Sequence, residues 1–409
     1  MVHIFYYCII TACNCEASIA PGGEQFGTLF PMSSTQDTTP IAMLDLGNEV
    51  TEHWDALTDA LHDVLRSGQF IGGPAVETFE KQFAEAVGTP HALGLNSGTD
   101  ALVIALETLG AGPGDEVITT PFSFFATSEA IIKVGATPVF GDIDPLTCNL
   151  DSATVAPLVT ERTKAIIPVH LFGLPLDLSE LLALNIPIIE DCAQAFGAKR
   201  NGQLVGSFGT FGAFSFYPTK TLGAYGDGGA LTMHDSDYAT RVGQLRNHGS
   251  SVSEKYRHEF VGWNSRLDAF QAAILSVKLS FYEEQIRHRR QIARWYREAF
   301  ARHGIAITDA EPVSNELLLP PDDSAHVYHQ FVIQAAAPFR ARIEQHLAAA
   351  HIACSRFYPE VLTQQPIGHD YGSAPIAERV KERTLALPIH AALTQTDVQR
   401  IAAAIQAAQ

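Results

Sequence analysis

The sequence is short of positive charge. Its 27 lysines and arginines stand against 45 aspartates and glutamates, giving a formal net charge of −18 over 409 residues. Nucleic-acid binding needs clustered Lys and Arg, so this balance argues against it. Any anionic ligand must be held by local donors against the overall field. Cysteine is scarce as well: three of six (Cys8, Cys13, Cys15) crowd the first fifteen residues, and Cys148, Cys192 and Cys354 are scattered singly. That pattern is neither a disulfide framework nor a zinc site, so no metal is expected and a reduced, cytoplasmic compartment is. No segment reaches the ~18 consecutive apolar residues of a membrane span. There is no internal repeat, and no GxGxxG follows the first strand, which counts against a nicotinamide dehydrogenase.

What is present is ordinary for a globular enzyme: 46% hydrophobic and 18% charged residues, with enough chain for two domains. The beginning stands apart. MVHIFYYCIITACNCEASIA is apolar like a signal peptide but lacks the Lys or Arg that should precede the apolar run. The next twenty residues are rich in Gly, Pro, Ser and Thr. Residues 1–42 are therefore expected to be a disordered or non-native extension, with Met32 or Met43 as alternative starts.

From about residue 50 helix and strand patterns alternate. VTEHWDALTDALHDVLRSG and AVETFEKQFAEAVG carry apolar residues at helical spacing and stop at Gly68 and Gly88. ALGL, DEVITT, TPVFGDI, KAIIPVHL, PIIED and GAFSF are short apolar runs separated by stretches of crossover length. This predicts a doubly wound α/β sheet running to about residue 235. Beyond it, RLDAFQAAILSVKLSFYEEQIRHRRQIARWYREAFARHG predicts a long helix with a break. HVYHQFVIQ reads as a strand, PFRARIEQHLAAAH as a helix and DVQRIAAAIQAA as a closing helix.

Ligands of open α/β sheets gather at the C-terminal ends of the strands. Four features fall there. In NSGTDAL, Gly98 and Thr99 open a helix whose free N–H groups suit a phosphate, although a plain N-cap explains the same residues. Asp191 ends PIIED, a carboxylate costly to bury alone, with Gln194 three residues on. Ser215 ends GAFSF and offers a hydroxyl. Lys220 follows it, before the glycine-rich GAYGDGG, where GDGG reads as a tight turn. Amine, acid and phosphate seat are together what pyridoxal 5′-phosphate (PLP) needs. PFSFFAT supplies Phe122, Phe124 and Phe125 as candidates to cover its ring, though core packing is the commoner role of a phenylalanine.

The order NSGTDAL, PFSFFATSEAI, GATPVFGDIDPLTCNLD, AIIPVHLFG, IIEDCAQAFGA, FSFYPTKTLGAYGDGGA, LRNHG, NSRLDAFQAAIL and LALPIH resembles the DegT/DnrJ/StrS-type PLP-dependent sugar-nucleotide aminotransferases, from roughly Met43 to the C-terminus. The resemblance implies the aspartate-aminotransferase fold: a large PLP-binding α/β domain over 43–280 with a mostly parallel sheet, and a small C-terminal α+β domain over 281–409, the long helix bridging them. It implies Lys220 as the Schiff-base lysine, Asp191 at the pyridine nitrogen, Gln194 beside the phenolic oxygen and Phe124 stacked on the ring. Gly98, Thr99 and Ser215 match phosphate binders. Asn247 matches a residue reaching the phosphate from the neighbouring subunit, so a homodimer with shared sites is implied.

The implied activity is amino transfer from an amino acid, taken to be L-glutamate, to a nucleotide-linked keto-sugar in amino-sugar biosynthesis for surface polysaccharide or a glycosylated natural product. KTLGAYGDGGAL favours a 3-keto over a 4-keto sugar. The rivals are an amino-acid aminotransferase, which would need an arginine such as Arg340, Arg342 or Arg356 for a carboxylate, and a non-catalytic regulatory protein retaining the fold. Two departures stand out. Thr221 follows the lysine where many members have Asn, and Glu360, Val361 and Leu362 occupy a segment that often faces the sugar.

Overall fold

The computed structural model describes residues 39–409 apart from 252, 253, 255 and 367–370. The expected extension lies outside the described residues as far as residue 38. Ile41 is already part of the packed body, buried and bridged to Ile352.

The apolar runs become strands in the predicted order: β1 (His91–Leu95), β2 (Glu116–Thr119), β3 (Thr137–Phe140), β4 (Thr163–Ile167) and β5 (Ile189–Asp191). A two-residue hairpin, β6 (Lys199–Arg200) and β7 (Gln203–Leu204), precedes β8 (Phe211–Ser215) and β9 (Gly229–Met233). Two ladders, β3-β2-β4 and β5-β8-β9-β1, are joined by parallel bridges Ile166–Ile188 and Val169–Asp191. One sheet of order β3-β2-β4-β5-β8-β9-β1 results. All neighbours are parallel except around β9, which runs antiparallel to both β8 and β1. Four of these strands are buried on nearly every residue, as a sheet covered on both faces requires.

Helices cover the two faces. On one, Gly98–Thr108 packs with Ala130, Ile131, Val242 and Leu245. On the other, Pro74–Val87 packs with Ala269–Leu279 around Phe79, Phe83, Phe214 and Phe216. The helices before β1 end where the glycines predicted, with Gly68 (φ 66) and Gly88 (φ 85) in left-handed backbone. The first pattern divides into Leu46–Glu52 and Trp54–Ser67.

The long amphipathic pattern divides too, into Ala269–Leu279 and Tyr282–Arg302, at Ser280–Phe281. The second of these lies on a second sheet, β10 (Ala306–Thr308), β11 (Glu316–Leu318), β12 (Phe331–Ala335) and β13 (Thr384–Leu387), in that order. Helices Ala337–Ala349 and Gln395–Gln406 close its core around Tyr296, Phe331 and Phe339. HVYHQFVIQ is a strand only from Phe331. Residues 326–330 form an irregular strap whose carbonyls at 326, 328 and 329 accept from Arg290 and Arg289 of the long helix.

Candidate active site

The C-terminal ends of β1, β5 and β8 converge. Pairing of β5 with β8 in parallel sets Asp191 opposite Ala213, so Asp191 and Ser215 emerge at the same edge. On the far side of β8, Gly229 of β9 lies opposite Ser215. The helix Gly98–Thr108 starts there, capped by Ser97, whose Oγ accepts from Asp100 N at 3.1 Å. Its first residue must be glycine: a Cβ on Gly98 would stand 2.7 Å from Ser215 Cβ. Gly229 is constrained the same way, since its Cβ would meet the Ser97 carbonyl carbon at 2.3 Å. These contacts press the N–H groups of the first helical turn against the Ser215 hydroxyl.

Asp191 is buried at 5% exposure, and its carboxylate is held from two directions. Thr127 Oγ1 donates to Oδ2 at 2.9 Å and Ala193 N to Oδ1 at 3.1 Å. Burial raises its pKa, against those two hydrogen bonds and the nearby Lys220 amine, which lower it. Lys220 closes a turn in which its N–H donates to Tyr217 O at 2.8 Å. Burial lowers the amine to about 8, opposed by the Asp191 carboxylate. A desolvated amine and a desolvated acid facing one another can each change charge with a small change in surroundings.

Gln194, also buried, is fixed at both ends. Its Oε1 accepts from Phe172 N at 2.8 Å and its Nε2 donates to Tyr358 Oη at 2.8 Å. Of the three phenylalanine candidates the structure separates one: Phe122 is fully buried, Phe125 half-buried, and Phe124 is 60% exposed, two residues before the helix Ala126–Lys133 that carries Thr127. Thr99 sits in the first turn beside Gly98. Asn247 is not bonded to this cluster. Its Oδ1 accepts from Arg266 at 3.1 Å and its Nδ2 reaches Ser250, while neighbouring Ser265 donates to Asp100 in the first turn of the capped helix.

Thr127 and Tyr358 escaped the sequence reading. Thr127 sits in PFSFFATSEAI, one turn beyond Phe124, and only the fold shows that it meets a residue 64 positions away. Tyr358 lies in FYPEVLTQQP, the segment expected to face the sugar. In that segment Val361 and Leu362 are buried, Leu362 N donates to Pro121 O at 2.7 Å, and Glu360 is exposed near Lys381. Thr221 is buried against the Phe196 carbonyl. Arg340, Arg342 and Arg356 are engaged with Glu344, Asn315 and Glu382 respectively.

Beside Asp191 lies a second buried cluster, His170, Glu190 and Cys192, close enough together to suggest metal ligands. Its lone pairs are taken. Glu190 accepts from Gly206 N, Phe208 N and Gly209 N, each at 2.8 Å, and pairs with His170 Nε2 at 3.0 Å. His170 Nδ1 accepts from Leu176 N at 3.0 Å, which places its proton on Nε2. Burial holds the Cys192 thiol well above its ordinary range. The cluster is a clamp on the backbone around Asp191.

Residues 53–406 match the DegT/DnrJ/EryC1/StrS aminotransferase family. The chain belongs to that family. It is 41% identical over 378 residues, 91% of this chain and 98% of the relative, to a UDP-N-acetyl-3-dehydro-alpha-D-glucosamine 3-aminotransferase of Acidithiobacillus ferrooxidans. It is equally 41% identical over 369 residues, 88% of this chain and 96% of the relative, to a pleiotropic regulatory protein of Geobacillus stearothermophilus. The crystal structure of NtdA from Bacillus subtilis with bound cofactor PMP superposes with a TM-score of 0.84 at 26% identity, covering 92% of this chain and 86% of that one. The enzyme is a PLP-dependent aminotransferase of aspartate-aminotransferase-like fold. Its residues fit the cofactor on their own chemistry. A cradle that any Cβ at Gly98 would fill, an amine lowered to about 8, a buried acid and an uncovered aromatic face are collected at one sheet edge.

Proposed function

We propose that this aminotransferase moves an amino group from L-glutamate to a nucleotide-linked keto-sugar, acting at a 3-keto rather than a 4-keto position. The observation that carries the chemistry is the electrostatic coupling of Lys220 with Asp191 at the edge where Gly98 and Ser215 meet. The sugar-nucleotide substrate and the keto position rest on the name of the Acidithiobacillus relative, together with KTLGAYGDGGAL around the lysine.

PLP supplies an aldehyde that carries the amino group and a ring that accepts electrons from the carbon losing its proton. Lys220 is the amine that would hold that aldehyde. An amine lowered to about 8 exchanges its proton easily, so once free it would serve as base toward the donor's α-carbon and as acid on return. Holding that amine in place raises its effective concentration. Asp191, steadied by Thr127 and Ala193, would give the ring nitrogen a negative partner. Gly98, Thr99 and Ser215 would donate to the phosphate, where the helix N-terminus would offset the protein's net negative charge. Phe124 would cover one face of the ring, and Gln194 would hold the ring's oxygen through the amide that now bonds Tyr358. Asn247 would complete the phosphate site of a neighbouring copy in a homodimer. Free Cys148, Cys192 and Cys354 suit the cytoplasm, and no helix among the described residues is long and apolar enough to cross a membrane.

An absorbance spectrum tests the first half. PLP-loaded protein should show a band near ~420 nm that moves toward ~330 nm with glutamate, and Lys220→Ala should not. NMR of products from 3-keto and 4-keto sugar nucleotides then fixes the aminated carbon. Amination at carbon 4 alone would overturn the 3-keto assignment. The Geobacillus relative's name, and that of a 38% identical relative of Saccharopolyspora erythraea called a sensory transduction protein, favour a regulatory role, and protein that stays colourless with PLP would favour it further.

A further inference from the structure

Gln194 is held by two segments remote from it in sequence. It follows β5, which Asp191 ends. Its Oε1 accepts from Phe172 N at 2.8 Å, 22 positions away, and its Nε2 donates to Tyr358 Oη at 2.8 Å, 164 positions away. A backbone N–H can only donate, so Phe172 fixes which end of the amide is oxygen. Nε2 must therefore face Tyr358, and the tyrosine oxygen is the acceptor. One amide hydrogen is committed to Tyr358. The other has no acceptor among the described residues.

Both supports are firmly set. Phe172 holds left-handed backbone (φ 56), which costs a bulky residue about 1–3 kcal/mol and persists only where surrounding contacts impose it. Gln330 N donates to Phe172 O at 3.3 Å and Val327 N to Gly173 O at 3.0 Å, so the strap 326–330 imposes it. Gly173 (φ 94) allows the approach, since a Cβ there would stand 2.9 Å from His329 N. Tyr358 is seated by its ring, which meets Phe122 edge-on at 6.1 Å between centroids. Leu362 N, in the same segment, donates to Pro121 O at 2.7 Å. The tyrosine thus rests on the PFSFFAT loop that also presents Phe124. Phe122, Phe172, Phe357 and Tyr358 share one apolar cluster, so packing sets where Nε2 points. Burial, with the Asp191 charge, holds the Tyr358 hydroxyl well above its ordinary range, and it stays protonated.

We propose that Tyr358 is a positioning residue for Gln194: by accepting one amide hydrogen it aims the other at the phenolic oxygen of bound PLP, which rests on Gln194 being the residue that meets that oxygen. The two hydrogens of a planar amide diverge at a fixed angle, so an acceptor on one sets the direction of the other. Without the Tyr358 hydroxyl the amide keeps its bond to Phe172 N but can swing about it. The donor to the cofactor is then weakened rather than lost.

The readout is the colour of PLP-loaded protein against pH. The phenolic oxygen carries its full negative charge once the coloured form loses its proton, so a donor there favours that loss. Weakening the donor should let the ~420 nm band persist to higher pH. Tyr358→Phe keeps a ring against Phe122 and should raise the midpoint by about half a unit, a threefold change in the ratio of the two forms at a fixed pH. Gln194→Ala should raise it at least as far. The combined variant should match Gln194→Ala alone within about 0.2 unit, because the tyrosine then has no amide to aim. Should the phenylalanine variant fold poorly, Tyr358→Leu gives the same reading. A midpoint unmoved in Tyr358→Phe while Gln194→Ala moves it would overturn the proposal and leave Tyr358 as a core ring. Shifts that add in the combined variant would overturn it too, since Tyr358 would then act on the cofactor without Gln194. A midpoint unmoved in Gln194→Ala, or wild-type protein that takes up no PLP, would remove the role of Gln194 and the proposal with it.

Discussion

Replacing Glu190 by glutamine changes one atom, and the structure gives it a large effect. Each carboxylate oxygen takes two N–H groups: Oε1 those of Phe208 and Gly209, Oε2 those of Gly206 and the His170 ring. A glutamine amide nitrogen cannot accept, so in either orientation two buried donors lose their acceptor and face two further N–H bonds. Hydrogen bonds to a charged group are worth about 1.5–3 kcal/mol each, so Glu190→Gln should cost about 3–6 kcal/mol. Relief from burying a charge reduces this, but rotation cannot rescue it, because the side chain is fully buried and the three backbone donors are fixed by the Gly206–Gly209 turn. The assay is thermal unfolding of the cofactor-free protein, where a fall of about 5–10 °C is expected. The clamp also holds the backbone around Asp191, whose N–H donates to Pro168 O and whose carbonyl accepts from His170 N. PLP affinity should therefore fall in the same variant. His170→Phe removes one of the four donors and should cost less, about 1–3 kcal/mol. A Glu190→Gln midpoint within about 2 °C of wild type would refute the reasoning, because it would mean that the four donors find other acceptors.

Three further outcomes follow from the site. Gly98→Ala places a methyl 2.7 Å from Ser215 Cβ, so the helix N-terminus must retreat, and PLP affinity measured by fluorescence titration should drop about tenfold or more. Asp191→Asn keeps the Thr127 and Ala193 contacts within reach but removes the charge, so the glutamate half-reaction should slow by about 100-fold or more in stopped-flow absorbance, with bound PLP still visible. The Lys220 amine, lowered by burial from 10.5 to about 8, binds its proton less tightly folded than unfolded. Between those values the unfolded chain carries more protons, so its contribution to stability grows as pH rises through that window. Cofactor-free wild type should accordingly gain stability relative to Lys220→Met from about pH 8 to 10, measured by chemical unfolding.

Much of the architecture was legible because it is written locally. Gly68 and Gly88 end helices by the φ they adopt, and the runs DEVITT, KAIIPVHL and GAFSF are strands because both faces are buried. The same burial hides other facts. A strand apolar on both faces does not say which neighbours it takes or in which direction, and the antiparallel run of β9 between β8 and β1 has no local sign. HVYHQFVIQ misled for a related reason. Its first half has strand-like residues, but docking of 326–330 on Phe172 and Gly173 overrides them.

The sequence by itself determined that Gly98, Asp191, Ser215 and Lys220 lie at or just beyond strand ends, because each closes an apolar run or follows one within five residues. Tertiary structure alone decided what those residues meet. Pairing of β5 with β8 brings Asp191 beside Lys220, Thr127 crosses 64 positions to reach the acid, and Tyr358 crosses 164 to reach Gln194. The four donors on Glu190 belong to the same class. Hydrogen bonds between distant segments depend on where whole elements dock, which no periodicity in one segment encodes.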